Sequence, residues 1–136
     1  MANLKYSRQR ASIKEYLMNT HEHPTADTVY LHVKEEFPHI SLGTVYRNLN
    51  LLAEMGEAVK IQAPDGGDRF DGDTRPHYHV VCTSCGNVMD LMPDNDYIRS
   101  INEEADKHFD GTIDSHKMLF YGTCARCCRK NNVQEN

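Results

Sequence analysis

Two Cys-x-x-Cys pairs constrain this chain more than any other feature of its sequence. The first pair is Cys82 and Cys85, and the second, Cys124 and Cys127, follows much later in the chain. A Cys-x-x-Cys turn brings two thiolates to the spacing that one tetrahedral Zn²⁺ requires, so two matched pairs predict a single closed four-cysteine zinc site. A dithiol redox pair is the alternative interpretation. Cys128 is either a spare thiol or a replacement for Cys127.

The length and composition indicate a globular protein with one domain, or with two small domains that share a metal or an interface. The chain has 136 residues, of which 39% are hydrophobic and 26% are charged. No apolar run is long enough for a membrane span, and the first residues lack the apolar core of a signal peptide. We therefore expect a cytoplasmic protein that does not enter a membrane. In a reducing compartment, paired cysteines are more often metal ligands than disulfides.

The charge is distributed unevenly along the chain. The net charge of −5 argues against nonspecific binding to nucleic acid. Residues 1–63 nevertheless carry seven basic and seven acidic groups, whereas residues 64–136 carry eight basic and thirteen acidic groups. Four basic residues are gathered near the start of the chain: Lys5, Arg8, Arg10 and Lys14. A local basic face of this kind can bind phosphates although the rest of the chain is acidic.

Three short helices are predicted in the first 60 residues. Helix caps at Ser7, Thr25 and Ser41 begin segments that end at Asn19, Glu36 and Gly56, respectively. The tight turn before the third helix favours a helix-turn-helix. The exposed face of the third helix is predicted to carry groups that reach base edges or phosphates: Thr44, Arg47, Asn48 and Asn50. An amphipathic helical bundle with a solvated polar face is the alternative.

The segments after the third helix predict a wing, a hinge and a second domain. Short strands at 58–61 and 69–71, separated by a Pro-Asp-Gly-Gly turn, form the wing, so residues 1–71 are predicted to be a winged-helix DNA-binding domain. Residues 72–76 are the predicted hinge. Residues 77–136 are predicted to be a dimerisation and metal-binding domain, with strands at 78–81, 88–91 and 117–121 and a helix at 94–109. A sheet this small gains from pairing with another copy, so we expect a homodimer.

A second metal site is predicted less strongly by spacing alone. His77 and His79 lie two residues apart, and on a strand this places both imidazoles on one face. Asp71 and Asp90 could be further ligands of the same metal only if the fold brings them near the two histidines. His23, in the DNA-binding half, would tie the two domains into one geometry if it were a further ligand.

The sequence resembles the Fur (ferric uptake regulator) family of metal-dependent repressors along nearly its whole length. The matching segments are His23-Pro24-Thr25-Ala26, residues 41–49, Arg69-Phe70-Asp71, His77-Tyr78-His79 with Cys82, Cys85 and Gly86, and Tyr121-Gly122 with Cys124 and Cys127. The resemblance implies an α+β protein with an N-terminal winged helix-turn-helix, a C-terminal α/β dimerisation domain and the four-cysteine zinc site. It also implies a regulatory metal site with five ligands: His23, Asp71, His77, His79 and Asp90.

Within the family, the sequence is most similar to PerR-type peroxide sensors. Asp90 stands where iron-sensing members usually carry Glu. Tyr78 stands where those members usually carry an Asp that helps to form another metal site, so His116 and Glu103 or Glu104 are expected to be structural or solvated. Three imidazoles and two carboxylates suit Fe²⁺ or Mn²⁺.

The resemblance implies a repressor that binds palindromic double-stranded operator DNA and leaves it after peroxide reacts at bound Fe²⁺. The ligand that peroxide oxidises is expected to be His23 or His77. DNA contacts are expected from five residues: Thr44, Tyr46, Arg47, Asn48 and Arg10. Many family members begin with an extra helix, whereas this sequence starts only a few residues ahead of Ser7, so we expect the phosphate contacts near the start to differ, with Lys5 and Arg10 as candidate replacements.

Three alternatives to a peroxide-sensing repressor remain at this point. The first is an iron-responsive or other metal-responsive repressor without peroxide chemistry. The second is a non-haem iron oxygenase, whose site also combines histidines with a carboxylate. The third is a zinc-stabilised interaction module that binds no second metal. The helix-turn-helix weighs against an enzyme, so we expect that the protein has no enzymatic activity.

Overall fold

The computed structural model describes residues 5–64 and 67–134 and contains both helices and strands. Its elements are α1 (Arg8–Asn19), α2 (Ala26–Val33), α3 (Leu42–Glu54), β1 (Val59–Ile61), β2 (Arg69–Asp71), β3 (Tyr78–Cys82), β4 (Val88–Leu91), α4 (Asn95–Asp106), β5 (Leu119–Gly122) and α5 (Ala125–Gln134). The predicted α+β class is confirmed. The chain divides into two compact units, Met1–Thr74 and Arg75–Asn136. The division falls inside the segment 72–76, whose role as a hinge stays a prediction.

Each helix of the N-terminal unit begins at the polar cap that the sequence predicts. The side-chain oxygens of Ser7, Thr25 and Ser41 each accept a hydrogen bond from the backbone amide three residues later. Such a bond satisfies one of the donors that a helix start leaves unpaired, and its loss costs about 1 kcal/mol. At the other end of α3, Gly56 has a φ of +75°, a left-handed conformation that favours glycine and stops the helix.

The second helix is shorter than predicted. It ends at Val33, and the next three residues form turns in which the amides of Glu35 and Glu36 donate to the carbonyls of His32 and Val33. Pro38 disfavours helical geometry at Phe37, so the chain tightens into these turns before it reaches the proline. The prediction that the helix continues to Glu36 is therefore wrong by one turn.

The core of the N-terminal unit is built from one face of each helix and from the wing. Its fully buried side chains are Ile13, Leu17, Val29, Val33, Val45, Leu49, Leu52 and Phe70. Directly after β2, the backbone of Gly72 passes so close to α1 that an added Cβ would lie 2.6 Å from the carbonyl of Leu17. Only glycine permits this approach, which fixes the path of the chain next to Asp71.

The wing is an antiparallel hairpin in which Val59 pairs with Asp71 and Lys60 with Phe70. Ala58 lies outside the strand because its amide donates to the carbonyl of Leu52 at the end of α3. The amide of Phe70 donates to the carbonyl of Pro24 over 3.0 Å, which ties the second wing strand to the loop before α2. Asp65 and Gly66 of the predicted wing turn lie outside the described residues.

The C-terminal unit contains a three-stranded sheet in the order β4-β3-β5. The central strand β3 pairs antiparallel with β4, which sets His79 opposite Asp90, and parallel with β5, which sets Val80 opposite Phe120. A parallel pair needs a crossover, and α4 lies within that connection. No described helix is both long and apolar enough to cross a membrane.

Three details of the C-terminal unit differ from the prediction. Helix α4 ends at Asp106 rather than at 109, because the amides of Lys107, His108 and Phe109 turn back to carbonyls only three residues earlier. Strand β5 begins at Leu119 rather than at 117. Helix α5 is not predicted at all, because its segment has no apolar periodicity to indicate a helix.

Candidate metal centre

The structure brings together the four cysteines of the two Cys-x-x-Cys pairs. The sulfur atoms of Cys82, Cys85, Cys124 and Cys127 all lie within 4.8 Å of one another. The distance between the sulfurs of Cys85 and Cys124 is 3.9 Å. Four sulfurs at the corners of a tetrahedron around one Zn²⁺, each about 2.3 Å from it, lie about 3.8 Å apart. The cluster therefore has the dimensions and the donor chemistry of a structural zinc site.

The two pairs reach this cluster from different local structures. Cys82 ends β3 and Cys85 lies in the turn that follows, where the amide of Gly86 donates to the carbonyl of Cys82 over 2.8 Å. Gly86 has a φ of +78°, which a residue with a side chain rarely adopts. Cys124 precedes α5 and Cys127 lies in its first turn, so the other two sulfurs are presented by a helix start.

Hydrogen bonds and burial shift the pKa values of Cys82 and Cys127 in opposite directions. Hydrogen bonds from the amides of Cys124, Cys85 and Ser84 lower the pKa of Cys82 to about 6. The hydrogen bond with Cys124, together with burial, raises the pKa of Cys127 to about 12. Close thiols cannot all ionise without a cation between them, whereas a bound Zn²⁺ stabilises all four thiolates at once.

Two further groups border the cysteines. The pKa of Arg126 is raised by its hydrogen bond with Cys85, so a guanidinium lies beside an assembly that would carry excess negative charge with zinc bound. Cys128 is exposed, and its sulfur lies 3.5 Å from the carbonyl oxygen of Thr123. Cys127, not Cys128, joins the described cluster.

In the N-terminal unit, His23 and Asp71 form a buried pair. Nε2 of His23 lies 3.3 Å from Oδ2 of Asp71. His23 has a φ of +52°, an uncommon left-handed conformation for a residue with a side chain, in the loop between α1 and α2. The Phe70–Pro24 hydrogen bond described above holds this loop against β2, which carries Asp71. The fold thus brings together one imidazole and one carboxylate that are far apart in sequence.

In the C-terminal unit, His77 and His79 share one carboxylate oxygen. Their Nε2 atoms lie 3.0 and 3.2 Å, respectively, from Oδ1 of Asp90, and their ring centroids are 4.6 Å apart. Nδ1 of His77 lies 2.6 Å from the carbonyl oxygen of Arg75. Because a carbonyl only accepts, Nδ1 carries the proton and Nε2 is the nitrogen available to a metal.

The donor spacing within each unit suits a six-coordinate divalent metal. Two donors at neighbouring octahedral positions, each about 2.1 Å from the metal, lie about 3.0 Å apart. The nitrogen–oxygen distances of 3.3 Å in the N-terminal unit and of 3.0 and 3.2 Å in the C-terminal unit are close to that value. The imidazole and carboxylate donors are typical ligands of Fe²⁺ and Mn²⁺ and less suited than thiolates to select zinc.

Tyr78 and His116 are hydrogen-bonded to each other and do not form part of the histidine–carboxylate cluster. The hydroxyl of Tyr78 forms a hydrogen bond with Nε2 of His116, and Nδ1 of His116 lies 2.6 Å from Oδ1 of Asn102. Glu104 instead pairs with Lys107 and His108 on the surface of α4. Asn102 is a residue that the sequence did not single out, because one polar residue on an amphipathic helix carries no signal of its partner.

The third helix presents a polar surface with one correction to the prediction. Tyr46 and Arg47 are exposed, and Nη2 of Arg47 donates to the hydroxyl of Thr44 over 2.9 Å. Asn48, predicted on the exposed face, is only 8% exposed, and its amide donates to the carbonyl of Thr44. Asn48 follows Val45 by three residues, so helical periodicity places it on the core side. At the start of α1, Arg10 donates to the carbonyl of Lys5.

Comparison with known proteins agrees with this arrangement over most of the chain. The family model of the ferric uptake regulator family matches residues 1–121. The peroxide-responsive repressor PerR of Staphylococcus epidermidis is 33% identical over 132 residues, which cover 96% of this chain and 86% of that protein. PerR of Staphylococcus aureus (strain Mu50) is 34% identical over 126 residues, or 93% of this chain and 84% of that protein.

Solved structures show the same similarity. The crystal structure of the Campylobacter jejuni peroxide stress regulator matches with a TM-score of 0.77 and 35% identity, covering 88% of each chain. The Helicobacter pylori ferric uptake regulator Fur matches with a TM-score of 0.78 over 92% of this chain and 83% of that one, and at 24% identity it supports the fold alone. The chain described here therefore belongs to the ferric uptake regulator family and is most like its PerR-type members.

Proposed function

We propose that this metal-responsive repressor of the ferric uptake regulator family senses peroxide through the Fe²⁺-catalysed oxidation of a ligand histidine. The observation that carries the proposal is the pair of contacts from His77 and His79 to one oxygen of Asp90, at 3.0 and 3.2 Å. Those distances suit neighbouring positions around one octahedral metal. Relatives named as peroxide-responsive repressors, at 33% and 34% identity, support the peroxide assignment.

The regulatory metal, Fe²⁺ or Mn²⁺, takes its ligands from both units of the chain. The five ligands are His23, Asp71, His77, His79 and Asp90. Because the first two belong to the DNA-binding unit, occupation of the whole set links that unit to the C-terminal unit. Metal thereby favours the conformation that binds DNA, and loss of one ligand weakens the preference. The four-cysteine cluster holds Zn²⁺ with a structural role.

Peroxide sensing requires that a ligand be altered permanently. Fe²⁺ held by these five residues would activate hydrogen peroxide for cleavage of its oxygen–oxygen bond beside the histidines, with the imidazole as the group that is oxidised overall. Overall, one peroxide oxygen is added to the imidazole of His23 or His77 and the other leaves as water. The oxidised ring is a poorer donor, so the metal is held by fewer ligands and the repressor leaves its operator. The protein reacts once and does not turn over, in contrast to an enzyme.

The partner is palindromic double-stranded DNA, bound by a homodimer in the cytoplasm. Helix α3 supplies Thr44, Tyr46 and Arg47 to the DNA, with Arg10 as a phosphate contact from α1. A second copy would cover strand edges at β4 and β5 and the exposed rings of Tyr97 and Tyr121, which are 47% and 59% exposed. Two-fold symmetry of such a dimer matches a palindromic site.

The test is a DNA-binding titration of the zinc-loaded protein under anaerobic conditions. With Mn²⁺ or Fe²⁺ added, wild-type protein is expected to bind a palindromic operator, and His79→Ala is expected to need much more metal. A short peroxide exposure should release the Fe²⁺ form from DNA and leave the Mn²⁺ form bound. Binding without added metal, or equal release of both forms, would contradict the proposal.

A further inference from the structure

Tyr78 stands between two of the proposed ligands but turns away from them. The rings of His77 and His79 both contact Asp90, whereas the hydroxyl of Tyr78 forms a hydrogen bond with His116. This follows from the geometry of a strand, in which successive side chains point to opposite faces. The backbone that carries Tyr78 is therefore also the backbone that places both imidazoles against Asp90.

A chain of hydrogen bonds continues from Tyr78 to α4. Nδ1 of His116 lies 2.6 Å from Oδ1 of Asn102. An amide oxygen only accepts, so Nδ1 carries the proton, and Nε2 of His116 accepts from the hydroxyl of Tyr78. Both nitrogens of the imidazole are thus hydrogen-bonded. The hydrogen bonds link the start of β3 to α4, the helix in the connection that leads to β5.

The ring of Tyr78 is fixed by packing as well. It is 4% exposed and meets three other rings, those of Tyr97, His116 and Phe120, with centroid distances of 6.3, 5.5 and 5.7 Å, respectively. Tyr97 belongs to α4 and Phe120 to β5, so the contacts hold β3 from two neighbouring elements. The hydroxyl also restricts the orientation of the ring, because it must point at Nε2 of His116 to form the hydrogen bond.

We propose that Tyr78, His116 and Asn102 form a positioning chain for the regulatory metal. The chain holds the start of β3 so that His77 and His79 meet the oxygen of Asp90 before the metal arrives. Outer partners that orient metal ligands typically change the metal affinity when they are lost. Tyr78 is therefore a positioning residue, not a ligand, and His116 is committed to the chain. The inference rests on the proposed function, since it concerns the same metal.

The test removes the hydroxyl and leaves the ring in place. Zinc-loaded full-length Tyr78→Phe is titrated with Co²⁺, whose visible absorption reports both affinity and ligand geometry. We expect Co²⁺ to bind about 10-fold more weakly, at the low end of the loss typical for outer partners of metal ligands. The absorption bands should also change, while zinc content and helix content stay at wild-type values. Tyr6→Phe is the matched control, because it removes a hydroxyl from a side chain of the N-terminal unit that is 79% exposed, and it should bind Co²⁺ like wild type.

A second pair of variants tests the Asn102 end of the positioning chain. Asn102→Leu removes the acceptor for His116 and should weaken Co²⁺ binding as Tyr78→Phe does, whereas Asn102→Asp keeps an acceptor and should restore most of the affinity. The double variant Tyr78→Phe/Asn102→Leu should bind Co²⁺ no more weakly than either single variant, because both substitutions interrupt the same positioning chain. These variants also serve if Tyr78→Phe fails to fold.

Two results would overturn the inference, and they are distinguishable. If Tyr78→Phe and Asn102→Leu match wild type in Co²⁺ affinity and spectrum, the positioning chain does not orient the metal ligands, although the proposed metal site stands. If the Co²⁺ affinity and spectrum of wild type are unchanged by His79→Ala, the metal does not bind at the histidines. That second result overturns the proposed regulatory site together with the inference.

Discussion

His79 of β3 lies directly opposite Asp90 of β4, and Nε2 of the histidine is 3.2 Å from Oδ1 of the aspartate. The antiparallel register alone produces this contact, because paired residues on one face of a sheet are close neighbours. The same oxygen lies 3.0 Å from Nε2 of His77. A short carboxylate at the pairing position therefore meets both imidazoles, and the length of that side chain becomes a test of the proposed chemistry.

Asp90→Glu is expected to reduce peroxide sensitivity while metal-dependent DNA binding is retained. The added methylene shifts the carboxylate relative to both imidazoles without removing a ligand. The measurement is the peroxide dose that releases half of the Fe²⁺-loaded protein from operator DNA. Asp94→Glu is the matched control, because Asp94 is exposed and makes no capping hydrogen bond with its side chain. Equal sensitivity of Asp90→Glu and wild type would remove the structural reason for preferring peroxide sensing to iron sensing.

Cys82→Ser is expected to lose zinc and, with it, the regulatory site of the same unit. Cys82 ends the strand that carries His79, so the four-cysteine cluster anchors the strand beside its metal ligands. Metal content measures the first effect and Co²⁺ titration the second. Cys128→Ser should keep both metals, because Cys128 lies outside the cluster. A Cys82→Ser protein with full zinc content would contradict the assignment of the site.

Phe70→Ala is expected to destabilise the N-terminal unit by about 3–5 kcal/mol, the usual cost of emptying a buried aromatic site. Phe70 is fully buried and precedes Asp71, so the His23–Asp71 pair should loosen as well. Urea unfolding followed by far-ultraviolet circular dichroism measures the change. Leu31→Ala is the control, because Leu31 is 66% exposed on α2 and its truncation should change the stability little. Similar losses in both variants would mean that Phe70 does not belong to the core.

Arg47→Ala is expected to weaken operator binding by about 1–3 kcal/mol if the guanidinium contacts a base. Arg47 is exposed and its guanidinium is held by the hydroxyl of Thr44, so it is ordered before DNA arrives. Fluorescence anisotropy against specific and unrelated duplexes, at several salt concentrations, separates a base contact from a phosphate contact. A base contact lowers the preference for the operator, whereas a phosphate contact lowers binding to both duplexes and reduces the salt dependence.

The Arg47 experiment has a direct internal control in the buried neighbour Asn48. Asn48→Ala should lower the stability of α3, because its amide bonds to the carbonyl of Thr44, and should change specificity less than Arg47→Ala does. If Asn48→Ala instead abolishes specific binding in a protein of wild-type stability, the assignment of the DNA-contacting face of α3 is wrong.

Local rules account for the parts of the fold that the sequence predicts well. Capping by Ser7, Thr25 and Ser41 depends on residues three positions away, and each cap is found in the structure. The pairing of Cys82 with Cys85 is equally local. Asn48 is where the prediction fails, because its polar side chain favours the surface whereas helical periodicity places it near Val45 on the core side.

Contacts between distant residues were beyond prediction from a single sequence. Tyr78 and His116 are 38 residues apart along the chain, and neither residue type indicates its partner. The proximity of His23 to Asp71 likewise depends on how β2 packs beside the loop before α2. The family resemblance implies the roles of His23 and Asp71, whereas neither the resemblance nor the residue spacing points to Asn102.

The central claim is tested most directly by the intact mass of the zinc-loaded protein, reduced and supplied anaerobically with Fe²⁺ or Mn²⁺, before and after a small dose of peroxide. We predict a gain of one oxygen in the Fe²⁺ form only, mapped by peptide fragmentation to His23 or His77. The Mn²⁺ form should keep its mass. No added oxygen on either histidine, in a protein that still binds DNA in a metal-dependent manner, would contradict peroxide sensing and leave a simple metal-responsive repressor.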